Sequence, residues 1–156
     1  MKTLPLLMVP VALIGFTSPV WADDGQVERS QLESLLDKAD EYGFTHYEEI
    51  SMDDGDRLEL EGWGKDGWQL EVEMTVEDGS LIEEKRHKDQ VPDWALSGDE
   101  VRQALNNAFD SDLQRFEKFE VDRDASIEIE GYDTQNQEVE MRLDGNDFSV
   151  TGVEND

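Results

Sequence analysis

The chain has 156 residues, of which 40 are acidic and 13 basic, for a formal net charge of −27. So acidic a surface excludes nucleic acid and anionic head groups as partners, because both are held by clustered Lys and Arg. There is no cysteine, hence no disulfide framework and no lipid-modified cysteine, while four Trp, six Phe and regular apolar spacing argue against disorder.

Residues 1–22 read as an export signal. Met1-Lys2 supplies a positive start, Leu4 to Phe16 an apolar centre, and Val20-Trp21-Ala22 a small-residue exit. The apolar stretch is short and broken by Pro5, Pro10 and Pro19, whereas a bilayer span needs ~20 helical residues. The expectation is a soluble periplasmic protein starting at Asp23, with no membrane insertion after cleavage. Loss of Lys2 with the signal makes the mature chain one charge more negative.

From there the spacing predicts a first unit over 23–88. Ser30 and Glu33 form a capping box, and Leu32, Leu35, Leu36 and Ala39 make a helical stripe that Gly43 closes. Four alternating segments follow, at 44–52, 57–63, 67–76 and 80–85, separated by Asp53-Asp54-Gly55, Gly64-Lys65-Asp66-Gly67 and Asp78-Gly79. Residues 89–96 read as a linker around Pro92. A second unit, 97–156, repeats the plan. Ser97 and Glu100 cap a stripe of Val101, Ala104, Leu105 and Ala108, and strands follow at 113–121, 126–132, 137–143 and 147–153.

The units match residue by residue. Leu58-Glu59-Leu60-Glu61-Gly62-Trp63 recurs 69 positions later as Ile127-Glu128-Ile129-Glu130-Gly131-Tyr132. Glu71-Val72-Glu73-Met74 recurs as Glu138-Val139-Glu140-Met141. The fold class expected is α+β, two tandem repeats, each an N-terminal helix packed on a four-stranded antiparallel sheet. A unit of this size has a marginal core, so the copies should support each other through a shared sheet or interface.

Alternation sorts the strand residues onto two faces. Leu58, Leu60, Trp68, Leu70, Val72 and Met74 should meet the first helix, and Ile127, Ile129, Val139, Met141 and Leu143 the second. The opposite face then carries Glu59, Glu61, Trp63, Glu71 and Glu73 in one unit, and Glu128, Glu130, Tyr132, Glu138 and Glu140 in the other. An antiparallel sheet covered on one side shows polar groups to water as a matter of course. Like charges facing one another across strands are nevertheless destabilising. A basic partner or a cation would relieve them, and Trp63 and Tyr132 would supply interface anchors.

Catalysis has little support. His46 and His87 are the only histidines and stand in no metal-binding spacing, and no serine has a nucleophile-elbow motif. Asp122-Arg123-Asp124-Ala125-Ser126 begins like a calcium loop, yet Ile127 stands where glycine is needed and Asp133 where the bidentate Glu belongs. No cofactor is expected, beyond a weak divalent cation on the crowded carboxylates.

Ala39, Gly43-Phe44, Gly67-Trp68 through Met74 and Asp78-Gly79 together resemble the PepSY domain. The second unit keeps Ala108, Glu138 to Met141 and Asp144-Gly145, but lacks a Gly-aromatic pair ahead of its third strand. The resemblance implies a beta-lactamase-inhibitor-like fold and a role in restraining peptidases. No peptidase domain follows the repeats, so that action is expected in trans. The functional expectation is an exported, non-enzymatic protein-binding module, a modulator or inhibitor of a peptidase or other envelope protein, with a basic partner in the cell envelope. The alternative is a cation-responsive, calcium-type acidic envelope protein.

Overall fold

Two apolar stripes at helical spacing make the layer that covers the sheet. The computed structural model describes residues 25–155, so the expected export signal lies outside the described residues. In chain order the elements are β1 (Val27–Glu28), α1 (Arg29–Tyr42), β2 (Phe44–Asp53), β3 (Arg57–Gly64), β4 (Gln69–Thr75) and β5 (Leu81–His87), then β6 (Leu96–Ser97), α2 (Gly98–Asp110), β7 (Leu113–Val121), β8 (Ile127–Asp133), β9 (Glu138–Leu143) and β10 (Val150–Asn155). Helix α1 buries Leu32, Leu35, Leu36 and Ala39, and α2 buries Val101, Ala104, Leu105 and Ala108. Both helices lie over β2 and β7 and touch each other.

The strands form one antiparallel sheet rather than two separately covered ones. Its order is β10-β9-β8-β7-β2-β3-β4-β5, with β1 added to β7 and β6 to β2. A single hydrophobic core follows from that continuity, joining Leu58, Leu60, Leu70, Val72 and Met74 to Ile127, Ile129, Val139, Met141 and Leu143 through Ile50 and Phe119 at the middle. The fold is therefore α+β, a ten-stranded antiparallel sheet with two helices on one face.

The central strands do not follow strict alternation. Phe44, Tyr47 and Ile50 are buried at intervals of three in β2, as are Leu113, Phe116 and Phe119 in β7. Register shifts beside each of these intervals insert an extra residue and return the next apolar side chain to the core. Gly62 and Gly131 sit against those bulges. A Cβ on Gly62 would lie 2.2 Å from the His46 carbonyl oxygen, and one on Gly131 2.0 Å from that of Arg115. Only glycine lets the strands approach so closely.

The two short strands cross between the halves. Val27 and Glu28 pair with Phe116 and Arg115, while Leu96 and Ser97 pair with Tyr47 and His46. Every residue of the second set is 69 positions from its counterpart in the first. Where β2 meets β7, Ile50 pairs with Phe119, and those two are themselves 69 positions apart.

Some sequence expectations are corrected. The Ser30–Glu33 box does not form: Glu28 occupies the N-cap, extended and without a side-chain cap bond, because pairing of β1 with β7 holds the backbone extended up to that residue. The Ser97–Glu100 box does form, with both reciprocal bonds present. The end of the 89–96 segment is structural, since Ala95 and Leu96 are buried and Trp94 packs on the core. Trp68, expected against the first helix, is 38% exposed. It stands in the turn between β3 and β4, where its carbonyl accepts from the Gly64 N–H at 2.9 Å, one residue short of the alternating run.

Candidate functional site

The face opposite the helices is built by cross-strand registration. Glu61 pairs with Glu71 on one side and Glu49 on the other, and Glu49 pairs with Glu120, which pairs with Glu128. Five carboxylates thus stand in one row across five strands. Lys85 ends the row at β5 and Arg142 ends it at β9. A second row runs Glu83, Glu73, Glu59, Ser51, Lys118, Glu130, Glu140 and Glu154. Directly opposed side chains in such rows have Cβ atoms ~5 Å apart, close enough for like charges to repel.

The protonation energetics carry the mark of that crowding. Burial holds the Glu61 carboxyl above the usual glutamate range, with the charges of Glu49 and Glu71 adding to the shift. Glu59 is raised by burial and then by Glu73, and Glu128 by burial and then by Glu140. Glu130 is also raised by burial, although Lys118 opposes the shift.

Cations partly answer the rows from within. The Lys85 ammonium lies 3.0 Å from Glu71 and that of Lys118 3.8 Å from Glu49, with Lys118 also donating to Glu120. Arg142 reaches Glu128 at 3.8 Å, Glu140 at 2.6 Å and Glu154 at 3.1 Å, and Arg57 reaches Glu73 at 3.7 Å. Every one of these pairs keeps contact with solvent, so each contributes little stability.

The sequence-derived set is only partly assembled. Glu59, Glu61, Glu71, Glu73, Glu128, Glu130 and Glu140 share the uncovered face. Glu138 is exposed beside Tyr132, at the start of β9. Trp63 does not belong to that surface. It is 2% exposed, covered by Trp94, whose ring meets it edge-on at 5.7 Å. Parity placed Trp63 on the open side, but the chain that enters β6 crosses the face there and seals the ring in. Its indole N–H is buried without a hydrogen-bond partner. Tyr132 remains half-buried at the equivalent place, with the Arg115 guanidinium 4.9 Å above its ring.

Sequence reasoning missed Glu49 and Glu120, the middle of the acidic row. The bulges in β2 and β7 break the alternation that would have placed them, and the only signal was a glutamate beside each of Tyr47, Ile50, Phe116 and Phe119. It also missed Lys118. The two histidines do not meet: His87, Gln69, Trp63 and His46 lie across four successive strands, and three strand spacings are about 14 Å. Among the described residues no three His, Asp or Glu are arranged to hold a metal ion. Asp122 and Asp124 instead shape the turn between β7 and β8, where the Ser126 hydroxyl and amide donate to Asp124 and the Asp122 N–H donates to the Ser126 carbonyl. No helix among the described residues is long and apolar enough to cross a membrane.

A family model described as peptidase propeptide and YPEB domain matches residues 6–85. The chain belongs to this PepSY family, whose domain is a non-catalytic unit of the propeptide type. No curated protein matches the chain. Among solved structures, a crystal structure of a protein of Clostridium difficile 630 assigned as a lipoprotein is similar. It is 14% identical, with a TM-score of 0.43, over 83% of this chain and 93% of that one.

Proposed function

We propose that the protein is an exported, periplasmic, non-enzymatic binding module that modulates or inhibits a peptidase or other envelope protein through its carboxylate face. On this reading it is two PepSY-like units, 23–88 and 97–156, joined by 89–96. Support for the duplication comes from the crossed pairings of β1 and β6, which are related by the same offset of 69 as the sequence repeat. The observation that carries the binding role is the row Glu71-Glu61-Glu49-Glu120-Glu128. Five like charges side by side cost folding energy, and a basic partner surface would turn that cost into steering and complementarity. The test is capture of envelope proteins on the immobilised chain and on a Glu59→Gln/Glu61→Gln/Glu71→Gln/Glu73→Gln variant. A partner held by the first and associating more slowly with the second at low salt supports the reading. Equal capture by both places the interface elsewhere.

The same crowding supports a second reading, in which the face responds to a divalent cation of the calcium type. Melting in calcium chloride and in sodium chloride at matched ionic strength separates specific binding from screening. A higher melting temperature in calcium favours the cation, and equal temperatures remove it.

A further inference from the structure

The strand β5 closes one margin of the sheet, bonded to β4 on one side only. All seven of its residues are exposed, with Leu81 at 50% and Ile82 at 46%. Its outer backbone groups have no strand partner among the described residues, and an edge of this length is a template for another strand. Natural sheets blunt such edges with charge, which turns foreign strands away. Here the charges are ordered, Glu83-Glu84 followed by Lys85-Arg86. Laid antiparallel on itself, the strand sets its acidic half along its basic half. Opposite charges facing across antiparallel strands stabilise the pair.

We infer that the β5 edge is a self-complementary interface at which two copies of this chain pair antiparallel about a two-fold axis, joining their sheets into one. The faces agree as well as the charges. Glu83 and Lys85 lie opposite Glu73 and Glu71, on the carboxylate side, while Glu84 and Arg86 lie opposite Val72 and Leu70, on the helix side. An axis at Glu84 keeps each side continuous and sets Glu83 against the second copy's Lys85 twice. Glu84 then faces its own counterpart, and each carries its own Arg86, whose Nε lies 3.0 Å from the carboxylate. An axis at Lys85 opposes Glu84 to Arg86 instead, with each Lys85 already neutralised by Glu71 at 3.0 Å. Either register joins acid to base. The other margin has no such complement: Val150–Asn155 carries Glu154 and no cation. Pairing of β5 with β5 is isologous and closes at the dimer, where pairing of β5 with β10 would run on as an open chain.

Sedimentation of the chain from Asp23 onward, over low to high micromolar concentration, tests the pairing. A dimer that grows with concentration is expected. Two variants, Glu83→Lys/Glu84→Lys and Lys85→Glu/Arg86→Glu, should each sediment as monomers, because each strand then carries one sign throughout. Mixed in equal amounts they should recover the dimer. All four side chains are exposed, so both variants should fold with the wild-type circular dichroism spectrum, while Lys85→Glu opposite Glu71 lowers the melting temperature and Glu83→Lys opposite Glu73 raises it. The inference is overturned by a wild type that stays monomeric, by variants that dimerise as well as it does, by a mixture that remains monomeric, or by species that grow beyond the dimer.

Discussion

Trp63 and Tyr132 occupy equivalent positions, 69 apart, yet do different work. Both face a basic residue across the strand pair, His46 for Trp63 and Arg115 for Tyr132. Trp94 shuts Trp63 into the core, whereas Tyr132 stays partly exposed with a guanidinium above it. Truncation should separate them. Trp63→Ala is expected to destabilise the protein by about 3–5 kcal/mol in urea unfolding, the usual loss for a large buried aromatic. Tyr132→Ala should cost about 1 kcal/mol, the scale of an exposed cation–π contact plus partial burial. Equal losses would show that the second ring is as much core as the first.

At the scale of elements, the two helices end in the same way on unlike residues. α1 stops at Gly43, with φ 129°, a value that glycine adopts freely. The equivalent residue after α2 is Asp112, with φ 127°, where a side chain is strained. The Asp112 carboxylate accepts from the Thr134 hydroxyl at 3.2 Å, an exposed bond that offsets little of the strain. Asp112→Gly should therefore stabilise the protein by about 1 kcal/mol, read as a higher urea midpoint at unchanged slope. A lower midpoint would show that the Thr134 bond outweighs the backbone. The helix starts differ for an equally local reason. Ser97 and Glu100 cap α2, while the matching Glu28 and Gln31 cannot form that box, so α1 depends on its packing and on the β1 pairing.

Across the whole molecule the acidic rows set the pH dependence. Glu59, Glu61, Glu128 and Glu130 have carboxyls raised in the folded state, so the fold binds protons more tightly than the unfolded chain. Their contribution to stability is fully present below the unfolded value and is lost as pH rises through the folded one. The capping Glu100 and the turn residues Asp78, Asp124, Asp144 and Asp147 are lowered, mainly by hydrogen bonds, and they lose their contribution as pH falls through the folded values. Melting temperature should thus rise as pH is lowered from neutrality to about 5, then fall in stronger acid. Glu59→Gln/Glu61→Gln should flatten the rise. A melting temperature that falls steadily from pH 7 would mean that the face is not repulsive in the fold.

The sequence by itself determined the local structure, because periodicity and turn chemistry act within a few residues. The stripes of Leu32 to Ala39 and Val101 to Ala108, the Gly43 stop, the Ser97–Glu100 box and the hairpin from Ile127 to Leu143 were all legible there. So was the assignment of most glutamates to one face, since parity in β3, β4, β8 and β9 is unbroken. Only the tertiary structure decided what depends on distant chain meeting chain. The pairing of β2 with β7 fused the strands into one sheet and brought Glu49 and Glu120 into the middle of the acidic row. The bulges that place them show in the sequence only as a change of spacing from two to three. Trp94 buried Trp63 from beyond β5, a contact across 31 residues that alternation cannot express. The β1 and β6 pairings each cost an extended dipeptide little and gain a partner from the other half of the chain, so nothing local foretold them.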